Sequence, residues 1–406
     1  MPDDISPFQI AVPDAAIAQL WAKLAAASFA DRVEFSDDGN YGAPLSDVQR
    51  LAQRWGDGFD WRAQEAALNK LPQFTTPVEV DGFGTLNIHF LHQRSSNANS
   101  IPLLFVHGWP GSFLEVVKLL PLLTSSESSP SFHIVAPSLP NFGFSDVVTK
   151  PGFSITQYAE TVHKLMVKLG YTEYVTQGGD WGFMITRLVG ANYPDHCLAS
   201  HVNFVRIHNP PTFSQSPLLY LQSALTPYTS ADKAGLARSA WFRTEGFGYN
   251  ATQSTKPSTL GFALADSPVA LLAWIYEKLR DWTDDYAWAD DEILTWVSLY
   301  QFSRAGPAAS VRIYYETKHA AADEYAQGLC YVPRVKLGVS LFPRDVVVPP
   351  QRWAHSLGPV VFAAVHDKGG HFAAHERPEQ LALDLRSMFG AAGGAGDVAK
   401  RFDPVL

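Results

Sequence analysis

The segment Gly178-Gly-Asp-Trp-Gly182 constrains the fold of this 406-residue chain more than any other. The residues before it, 171–177, predict a short strand, and Phe183 and Leu188 begin a helical spacing of apolar residues after it. A glycine-flanked residue between a strand and a helix is typical of the tight turn that raises one side chain above a parallel sheet, because glycines let neighbouring backbones approach closely. The sequence therefore predicts an α/β fold with Asp180 at this elbow.

An aspartate at the elbow indicates a particular kind of chemistry. A serine there would suggest acyl transfer, whereas an aspartate attacks saturated carbon and forms an alkyl ester that water must then cleave. The alternative is a helix N-cap aspartate after a glycine-rich turn, which is common in α/β proteins. The motif alone does not decide between these two interpretations.

Composition and charge exclude several classes of function. The formal net charge is −9, from 31 basic and 40 acidic residues, and no basic stripe offsets it, which argues against a nucleic-acid or anionic-membrane partner. Cys197 and Cys330 are the only cysteines, so a disulfide framework is not implied and a reducing compartment is expected. No Cys/His cluster has metal-ligand spacing and no phosphate-binding loop is present, so neither a metal nor a cofactor is expected.

The sequence also predicts where the protein is located. The first six residues have neither a positive region nor an apolar run, which a secretory signal would need. Nowhere do about eighteen apolar residues follow one another, as a membrane-spanning helix requires. We therefore expect a soluble, cytoplasmic protein.

Residues 1–95 predict an N-terminal extension of helices followed by a hairpin. Apolar residues at positions i, i+3, i+4 and i+7 indicate two amphipathic helices; these residues are Ile17, Leu20, Trp21 and Leu24 in the first helix and Val48, Leu51, Ala52 and Trp55 in the second. Residues 78–80 and 86–91, around Asp81-Gly82, predict a hairpin that leads into the main sheet.

The rest of the chain divides into a core, an insertion and a tail. From residue 101 strands alternate with helices, which predicts a mostly parallel sheet with helices on both faces. This core is expected in two parts, 96–210 and 330–390, separated by a helical cap at 211–329 that concentrates Trp274, Trp282, Trp288 and Trp296. Residues 391–406 begin with glycine and alanine and are expected to form a flexible tail.

A base and an orienting acid for Asp180 have candidates after the last two predicted strands. His371 follows the strand 360–365, and this position distinguishes it from the other histidines of the chain. Asp345 follows the preceding strand, where a carboxylate can hold the imidazole in the tautomer whose free nitrogen faces the nucleophile. Asp367 is the rival acid, but it lies only four residues before the histidine on the same strand end and is interpreted as a turn or surface residue.

The loop His107-Gly-Trp-Pro110 follows a predicted strand and should face the elbow across the sheet. The backbone N–H groups of Trp109 and Trp181 are then expected to point into one small space, suited to an oxyanion on the Asp180 carboxyl during ester hydrolysis. The alternative is an ordinary glycine-proline turn, which His-Gly-x-Pro alone does not exclude. Its coincidence with the elbow favours the oxyanion hole.

Taken together, the chain resembles the α/β-hydrolase-fold epoxide hydrolases, specifically the microsomal-type branch that also has soluble members. The similarity covers nearly the whole chain and is carried by these segments: Pro7-Phe-Gln-Ile10, Leu71-Pro-Gln-Phe74, His107-Gly-Trp-Pro-Gly-Ser112, Gln177-Gly-Gly-Asp-Trp-Gly182, Gly246-Phe-Gly-Tyr249, Thr255-Lys-Pro-Ser-Thr-Leu-Gly261, Leu264-Ala-Asp-Ser-Pro-Val269, Trp274-Ile-Tyr-Glu-Lys278 and Gly369-Gly-His-Phe-Ala-Ala374. The resemblance implies Asp180 as nucleophile, His371 as base and Asp345 as orienting acid, the last in a position often held by glutamate. It also implies a homodimer and a role in xenobiotic detoxification.

The resemblance further implies that two tyrosines of the cap, Tyr249 and Tyr314, bind the epoxide. An epoxide oxygen must receive a hydrogen bond or a proton as its C–O bond breaks, and a phenol of pKa about 10 can donate without being ionised at neutral pH. Tyr314 aligns with the family residue, and the neighbouring Tyr315 should point to a different face of the helix, although the sequence leaves the choice between them open. Trp109 is expected to contact the substrate as well.

The expected function is the cofactor-independent addition of water to an epoxide, giving a vicinal diol through a hydroxyalkyl ester on Asp180. A haloalkane dehalogenase is the first alternative, but a halide favours N–H donors where an epoxide oxygen favours the phenol pair. A catalytically silent hydrolase-fold binding protein is the second, and it would be expected to lack a member of the triad, whereas all three are present. The tryptophan-rich cap predicts a mostly apolar pocket and hence a small apolar epoxide as substrate.

Overall fold

The computed structural model describes residues 4–125, 129–214 and 216–403, and a nine-stranded sheet runs through them. Its strands are β1 (Ser6–Pro7), β2 (Gln73–Val80), β3 (Gly84–Gln93), β4 (Ile101–Val106), β5 (Phe132–Pro137), β6 (Tyr174–Gly178), β7 (Cys197–Val202), β8 (Lys336–Leu341) and β9 (Val360–Val365). Their order is β1-β2-β3-β5-β4-β6-β7-β8-β9. The pairs from β1 to β5 are antiparallel, and all pairs from β5 to β9 are parallel.

Helices connect these strands and cover the sheet. They are α1 (Asp14–Ala25), α2 (Leu45–Asp57), α3 (Trp61–Leu68), α4 (Leu114–Val117), α5 (Leu120–Thr124), α6 (Ile155–Lys168), α7 (Trp181–Asn192), α8 (Pro217–Leu225), α9 (Ser230–Trp241), α10 (Gly248–Gln253), α11 (Pro257–Asp266), α12 (Pro268–Asp281), α13 (Asp290–Gln301), α14 (Arg312–His319), α15 (Ala322–Leu329), α16 (Ala373–Glu376), α17 (Pro378–Phe389) and α18 (Gly396–Ala399). A π-helical turn, Phe242–Gly246, joins α9 to α10, and short 3-10 turns lie at Gly39–Tyr41, Ala309–Val311 and Gln351–Ser356.

The central strands are buried on both faces, as a parallel sheet between two helical layers requires. Every residue of β4, β5 and β6 is buried. This explains why β4, Ile101–Val106, is a continuous apolar run rather than an alternating pattern. The predicted α/β fold is confirmed, and the carboxyl ends of β4, β6, β8 and β9 lie along one edge of the sheet.

The N-terminal extension contains the predicted hairpin, which β2 and β3 form with Val78 opposite Leu86. The hairpin leads into the main sheet because Gln93 of β3 pairs with Ile134 of β5. The two predicted amphipathic helices are α1 and α2, and the apolar face of α2 packs against the cap, where the Trp55 indole N–H donates to Ser298 at 3.1 Å. The extension therefore supports the cap from outside the sheet.

One predicted helix is split into two. The alternation of strands and helices after residue 101 predicts one helix at 113–123, but α4 ends at Val117 and α5 begins at Leu120. Pro121 has no backbone N–H and cannot donate to the carbonyl one turn earlier, so a continuous helix would lose a hydrogen bond at this point.

Eight helices, α8 to α15, lie between β7 and β8 in the described residues. In α13 the Trp296 indole N–H donates to the Pro110 carbonyl at 2.5 Å, and the Tyr300 hydroxyl donates to the Gly111 carbonyl at 2.6 Å. These bonds fix the cap onto the loop that follows β4. Over the residues described, no single helix is long and apolar enough to cross a membrane; α11 and α12, bent by 114°, meet the length and composition criteria only as a pair.

The C-terminal segment differs from expectation. Residues 391–406 were expected to be flexible, but Ala395 and Ala399 are fully buried and the Ala395 N–H donates to Met388 at 2.9 Å. A Cβ on Gly394 would overlap the carbonyl oxygen of Val361, so the small residues permit a close approach rather than prevent packing. The expectation of mobility is therefore wrong for residues 391–403, and residues 404–406 lie outside the described residues.

Candidate active site

The elbow between β6 and α7 is a strained turn. Asp180 has φ 48° and ψ −124°, a backbone conformation that residues other than glycine rarely adopt. A Cβ on Gly178 would overlap the carbonyl of Gly182, and one on Gly182 would overlap that of Val106. The Asp180 carboxylate makes no capping hydrogen bond to α7 in the part of the chain described here, which is evidence against the N-cap interpretation.

The structure brings the three predicted charged residues into one chain of contacts. His371 Nε2 lies 3.3 Å from Asp180 Oδ2, and His371 Nδ1 lies 2.6 Å from Asp345 Oδ1. The side chains of His371 and Asp345 are both only 2% exposed. Asp367, the rival acid, is exposed and lies outside this chain of contacts.

The loop after β4 faces the other oxygen of the same carboxylate. The Trp109 N–H donates to Asp180 Oδ1 at 2.8 Å. Gly108 makes this approach possible, because a Cβ there would overlap Asp180 Oδ1. Trp181 is the first residue of α7, where backbone N–H groups have no partner within the helix, and its N–H makes no hydrogen bond within the described residues. The two predicted N–H donors are thus adjacent to the Asp180 carboxyl, and one already contacts it.

Two phenols from the cap close the space above Asp180. The Tyr249 ring stacks on Trp109, with centroids 5.5 Å apart, and the Tyr314 ring meets Trp181 edge to face at 4.9 Å. The Tyr314 hydroxyl is buried without a hydrogen-bond partner among the described residues. Tyr315 instead is 36% exposed and stacks on a surface histidine of α14, so Tyr314 is the residue that faces the site.

Comparison with known proteins identifies the family. Residues 5–116 match the family described as Epoxide hydrolase N terminus, and residues 101–221 match the alpha/beta hydrolase fold. Epoxide hydrolase 1 of Sus scrofa is 33% identical over 96% of this chain and 89% of its own length. Juvenile hormone epoxide hydrolase 2 of Ctenocephalides felis is 34% identical over 94% of this chain and 84% of its own length. The structure of Aspergillus niger epoxide hydrolase covers 94% of both chains, with a TM-score of 0.80 and 36% identity.

The chain belongs to the α/β-hydrolase-fold epoxide hydrolases. It is a member of the microsomal branch and hydrolyses epoxides, so the fold, family and enzyme class expected from the sequence are confirmed. Relatives that match over nearly the whole chain and are named epoxide hydrolases argue against both alternatives, the dehalogenase and the silent binding protein.

The histidine of this epoxide hydrolase lies in an unusual electrostatic environment. Burial lowers the pKa of His371, but the negative charges and hydrogen bonds of Asp345 and Asp180 outweigh burial and raise it to about 10. Burial and the charge of Asp180 raise the pKa of the Tyr249 phenol. Burial, followed by the neighbouring Tyr249 and Asp180, raises the pKa of Tyr314 well above its usual range. The resting site therefore holds a protonated imidazole beside a carboxylate, with two phenols that keep their protons.

The loop that carries His371 is braced by two carboxylates that the sequence did not reveal. Glu376 accepts hydrogen bonds from the Gly370 N–H at 2.6 Å and from the Asp284 N–H at 3.1 Å. The Asp284 carboxylate accepts one from the Gly369 N–H at 2.9 Å. Because Asp284 belongs to the cap, these bonds tie the histidine loop to the cap.

A third buried carboxyl, Glu115, supports the opposite loop. Its side chain fills the space beside Gly111, where a Cβ would overlap Glu115 Oε1. Burial raises the pKa of Glu115 to about 8. No spacing in the sequence distinguishes this residue from an ordinary surface glutamate of a short helix.

A cavity of about 330 Å³ opens from Asp180. Its apolar wall is formed by Met184, Phe204, Phe242, Phe247, Val346 and Val347, and its polar lining includes Tyr249, Tyr314, Ser239, Asn250, Arg206, His208 and Arg243. None of the four cap tryptophans lies among the described residues that line it. The wall is mostly apolar, as expected, but phenylalanines and Trp181 contribute to it rather than the cap tryptophans. Of these, Trp296 is bonded to the β4 loop and Trp282 packs against His371 at 5.0 Å.

Proposed function

We propose that this enzyme opens epoxides in two steps at Asp180 and releases vicinal diols. In the first step Asp180 Oδ2 attacks a ring carbon from the side opposite the breaking bond. The new bond joins Oδ2 to that carbon, and the ring C–O bond breaks with its electron pair on oxygen. Oδ1 accepts the Trp109 N–H at 2.8 Å, whereas Oδ2 lies at the longer distance of 3.3 Å from His371 Nε2, so we assign the attack to Oδ2.

The phenols of Tyr249 and Tyr314 hold the ring oxygen while its bond breaks, and one of them supplies the proton to the forming alkoxide. Their ring centroids are 5.8 Å apart and both residues line the cavity at Asp180, which supports a shared role at one oxygen atom. Their raised pKa values keep the protons in place until the alkoxide, a far stronger base, develops.

In the second step His371 removes a proton from water, which attacks the carbonyl carbon of the Asp180 ester. Asp345 holds the imidazole with its free nitrogen toward that water. The negative charge that develops on Oδ1 is stabilised by the N–H groups of Trp109 and Trp181. In the collapse of this intermediate the bond to the alkyl oxygen breaks, and His371 gives its proton to that oxygen, which frees the diol. The Asp180 carboxyl then ionises and gives its own proton to the imidazole.

The first step prepares the base for the second. While Asp180 is a carboxylate, it is among the groups that hold the pKa of His371 at about 10. Esterification removes that negative charge, so the imidazole gives up its proton more readily once there is an ester to hydrolyse. The proton that leaves His371 returns to the phenolate and restores the phenol that protonated the alkoxide.

A further part of the proposal concerns the substituents on the oxirane. The phenylalanine and valine side chains beside Asp180 favour alkyl or aryl groups next to the ring. Apolar epoxides with such groups are therefore expected to be better substrates than epoxides with hydroxyl groups at the neighbouring carbons. A comparison of kcat/KM for a matched pair of this kind tests the expectation.

The chain of contacts from Asp180 through His371 to Asp345 is the observation that carries the mechanism. It is tested by a single turnover with enzyme in excess over epoxide in heavy-oxygen water. The label is expected in the Asp180 carboxylate after the first turnover, and in the diol only on later ones. Label that appears directly in the first diol would mean that water, not Asp180, attacks the ring.

A further inference from the structure

Three basic side chains line the same cavity as Asp180. These are Arg206, His208 and Arg243, and Asp180 is the only acidic residue among the described residues of the lining. Arg206 is half-buried, whereas His208 and Arg243 are exposed, so the basic groups extend from the cavity to the surface. The chain as a whole is acidic, with a net charge of −9, which makes this concentration of basic groups a local feature.

Within the described residues neither arginine has a partner for its charge, since Arg206 and Arg243 form no ion pair and no hydrogen bond there. The Arg206 guanidinium lies 5.5 Å from the ring of Tyr325, which supports its planar face and leaves its N–H edge free. By contrast, Arg54 is paired through two nitrogens with a carboxylate on the outer side of the cap.

A second cavity of about 470 Å³ adjoins the first. The two share a wall formed by Trp181, Arg206, Phe247, Asn250 and Tyr314. Lys318 lines the second cavity, and no acidic residue is among its described lining residues. Arg206 therefore lies between two spaces whose charged lining, apart from Asp180, is basic throughout.

The basic groups are close enough to influence one another. Burial, followed by the charges of Arg206 and Arg243, lowers the pKa of His208. Apart from Asp180, the described lining holds no acid that compensates this mutual repulsion, and a bound anion would relieve it. A planar guanidinium with a free N–H edge suits the two oxygens of a carboxylate.

We propose that Arg206, assisted by Arg243, binds a carboxylate on the substrate while the oxirane of the same molecule lies at Asp180. The substrate class is then an epoxide on an apolar chain that ends in a carboxylate. The phenylalanine side chains between the two ends accommodate the chain. This inference rests on the proposed function and adds to it the recognition of the far end of the substrate.

The test uses a homologous series of straight-chain epoxy carboxylates, each compared with its own methyl ester. The readout is the ratio of kcat/KM for acid and ester in the same enzyme, which cancels any general loss of activity. At the best chain length the acid is expected to be favoured about tenfold or more, the range of a charge-assisted hydrogen bond. Added salt should reduce this ratio because the opening of the cavity is exposed to solvent.

Matched variants locate the effect. Arg206→Gln is expected to bring the ratio close to one, Arg206→Lys to keep part of the preference, and Arg243→Gln to reduce it less. Arg334→Gln is the control, since Arg334 pairs with Asp195 on the surface and its loss changes the net charge equally. Its ratio should match that of the unaltered enzyme.

The outcomes separate this inference from the proposed function. If the unaltered enzyme hydrolyses acid and ester equally well, or if Arg206→Gln keeps the full preference, the carboxylate site is wrong and the epoxide mechanism stands. If neither compound is hydrolysed while Asp180 forms no ester with any epoxide of the series, the mechanism itself is wrong. Should Arg206→Gln fail to fold, the salt dependence of the unaltered enzyme still decides.

Discussion

The two halves of the active site are held in place by different forces. The core half, Asp180, His371 and Asp345, is fixed by directional, charged hydrogen bonds between buried groups. The cap half, Tyr249 and Tyr314, is fixed by ring packing, and both side chains line the cavity. The difference matches the tasks, because the core groups must keep one geometry through both steps, whereas the phenols must be free to meet the oxygen of an incoming ring.

Removal of the catalytic base from the core half should cause the largest loss of rate. His371→Gln keeps Asp180 and both phenols, so the ester should still form, but its hydrolysis should slow about 10³-fold or more because no base remains for the water. Mass spectrometry of the intact protein after mixing with epoxide measures the accumulated adduct. If the variant turns over at the normal rate, or if no adduct forms with any reactive epoxide, His371 does not have the assigned role.

Loss of both phenols of the cap half should slow the first step, ring opening, rather than ester hydrolysis. In the double variant Tyr249→Phe, Tyr314→Phe, ring opening should slow about 10²-fold or more, and each single variant should lose less because one donor remains. The ring packing on Trp109 and Trp181 is kept, so the fold should be unaffected.

Tyr315→Phe is the matched control for the phenol pair, since its ring stacks on His319 away from the cavity. Stopped-flow tryptophan fluorescence would follow ester formation in all four variants. A Tyr315→Phe variant as slow as the double variant would overturn the choice of Tyr314.

The pH dependence of ester hydrolysis tests the protonation state of His371 in the core half. Despite burial, Asp345 and Asp180 raise the pKa of His371 to about 10 in the resting enzyme, and esterification removes the Asp180 charge. Ester hydrolysis needs neutral His371, so its rate should rise with pH to a plateau whose midpoint lies below about 10. Decay of preformed ester after pH jumps measures this midpoint. A midpoint at or above that of the resting enzyme would contradict the coupling between the two steps.

The core half could be predicted from sequence because each of its residues follows a strand. Asp180, Asp345 and His371 come after β6, β8 and β9, and parallel strands bring their carboxyl ends to one edge of the sheet. The cap half depended on a resemblance, since no periodicity distinguishes Tyr314 from Tyr315. Only the packing of α14 shows which of them is buried.

Other features could not be predicted because they arise from contacts between distant segments. The bond between Glu376 and Asp284 joins residues 92 positions apart and has no sequence pattern. The basic opening of the cavity combines Arg206, after β7, with Arg243, from the turn before α10. The number of tryptophans in the cap, from which an apolar pocket was predicted, gives no information about these arginines. The glycines of residues 390–396 looked like a flexible tail because composition does not show when small residues serve close packing.

The smallest effect is expected where the two halves are joined. Glu376→Gln weakens the acceptor that holds the Gly370 N–H, next to His371, and the loss of part of one buried hydrogen bond corresponds to about threefold in rate. Burial raises the pKa of Glu376 to about 7, so the unaltered enzyme should show a matching loss of ester hydrolysis as pH falls through this value, which the glutamine variant should lack.

The control for this brace is Glu379→Gln on the first turn of α17, whose side chain is exposed. Ring opening should be unchanged in both variants, because the Glu376 carboxylate accepts hydrogen bonds from the histidine loop and from the cap segment at Asp284. Single-turnover rates for ester formation and ester decay, measured across pH, separate a positioning role from a general loss of stability. Equal slowing of both steps would mean that Glu376 stabilises the fold rather than the position of His371.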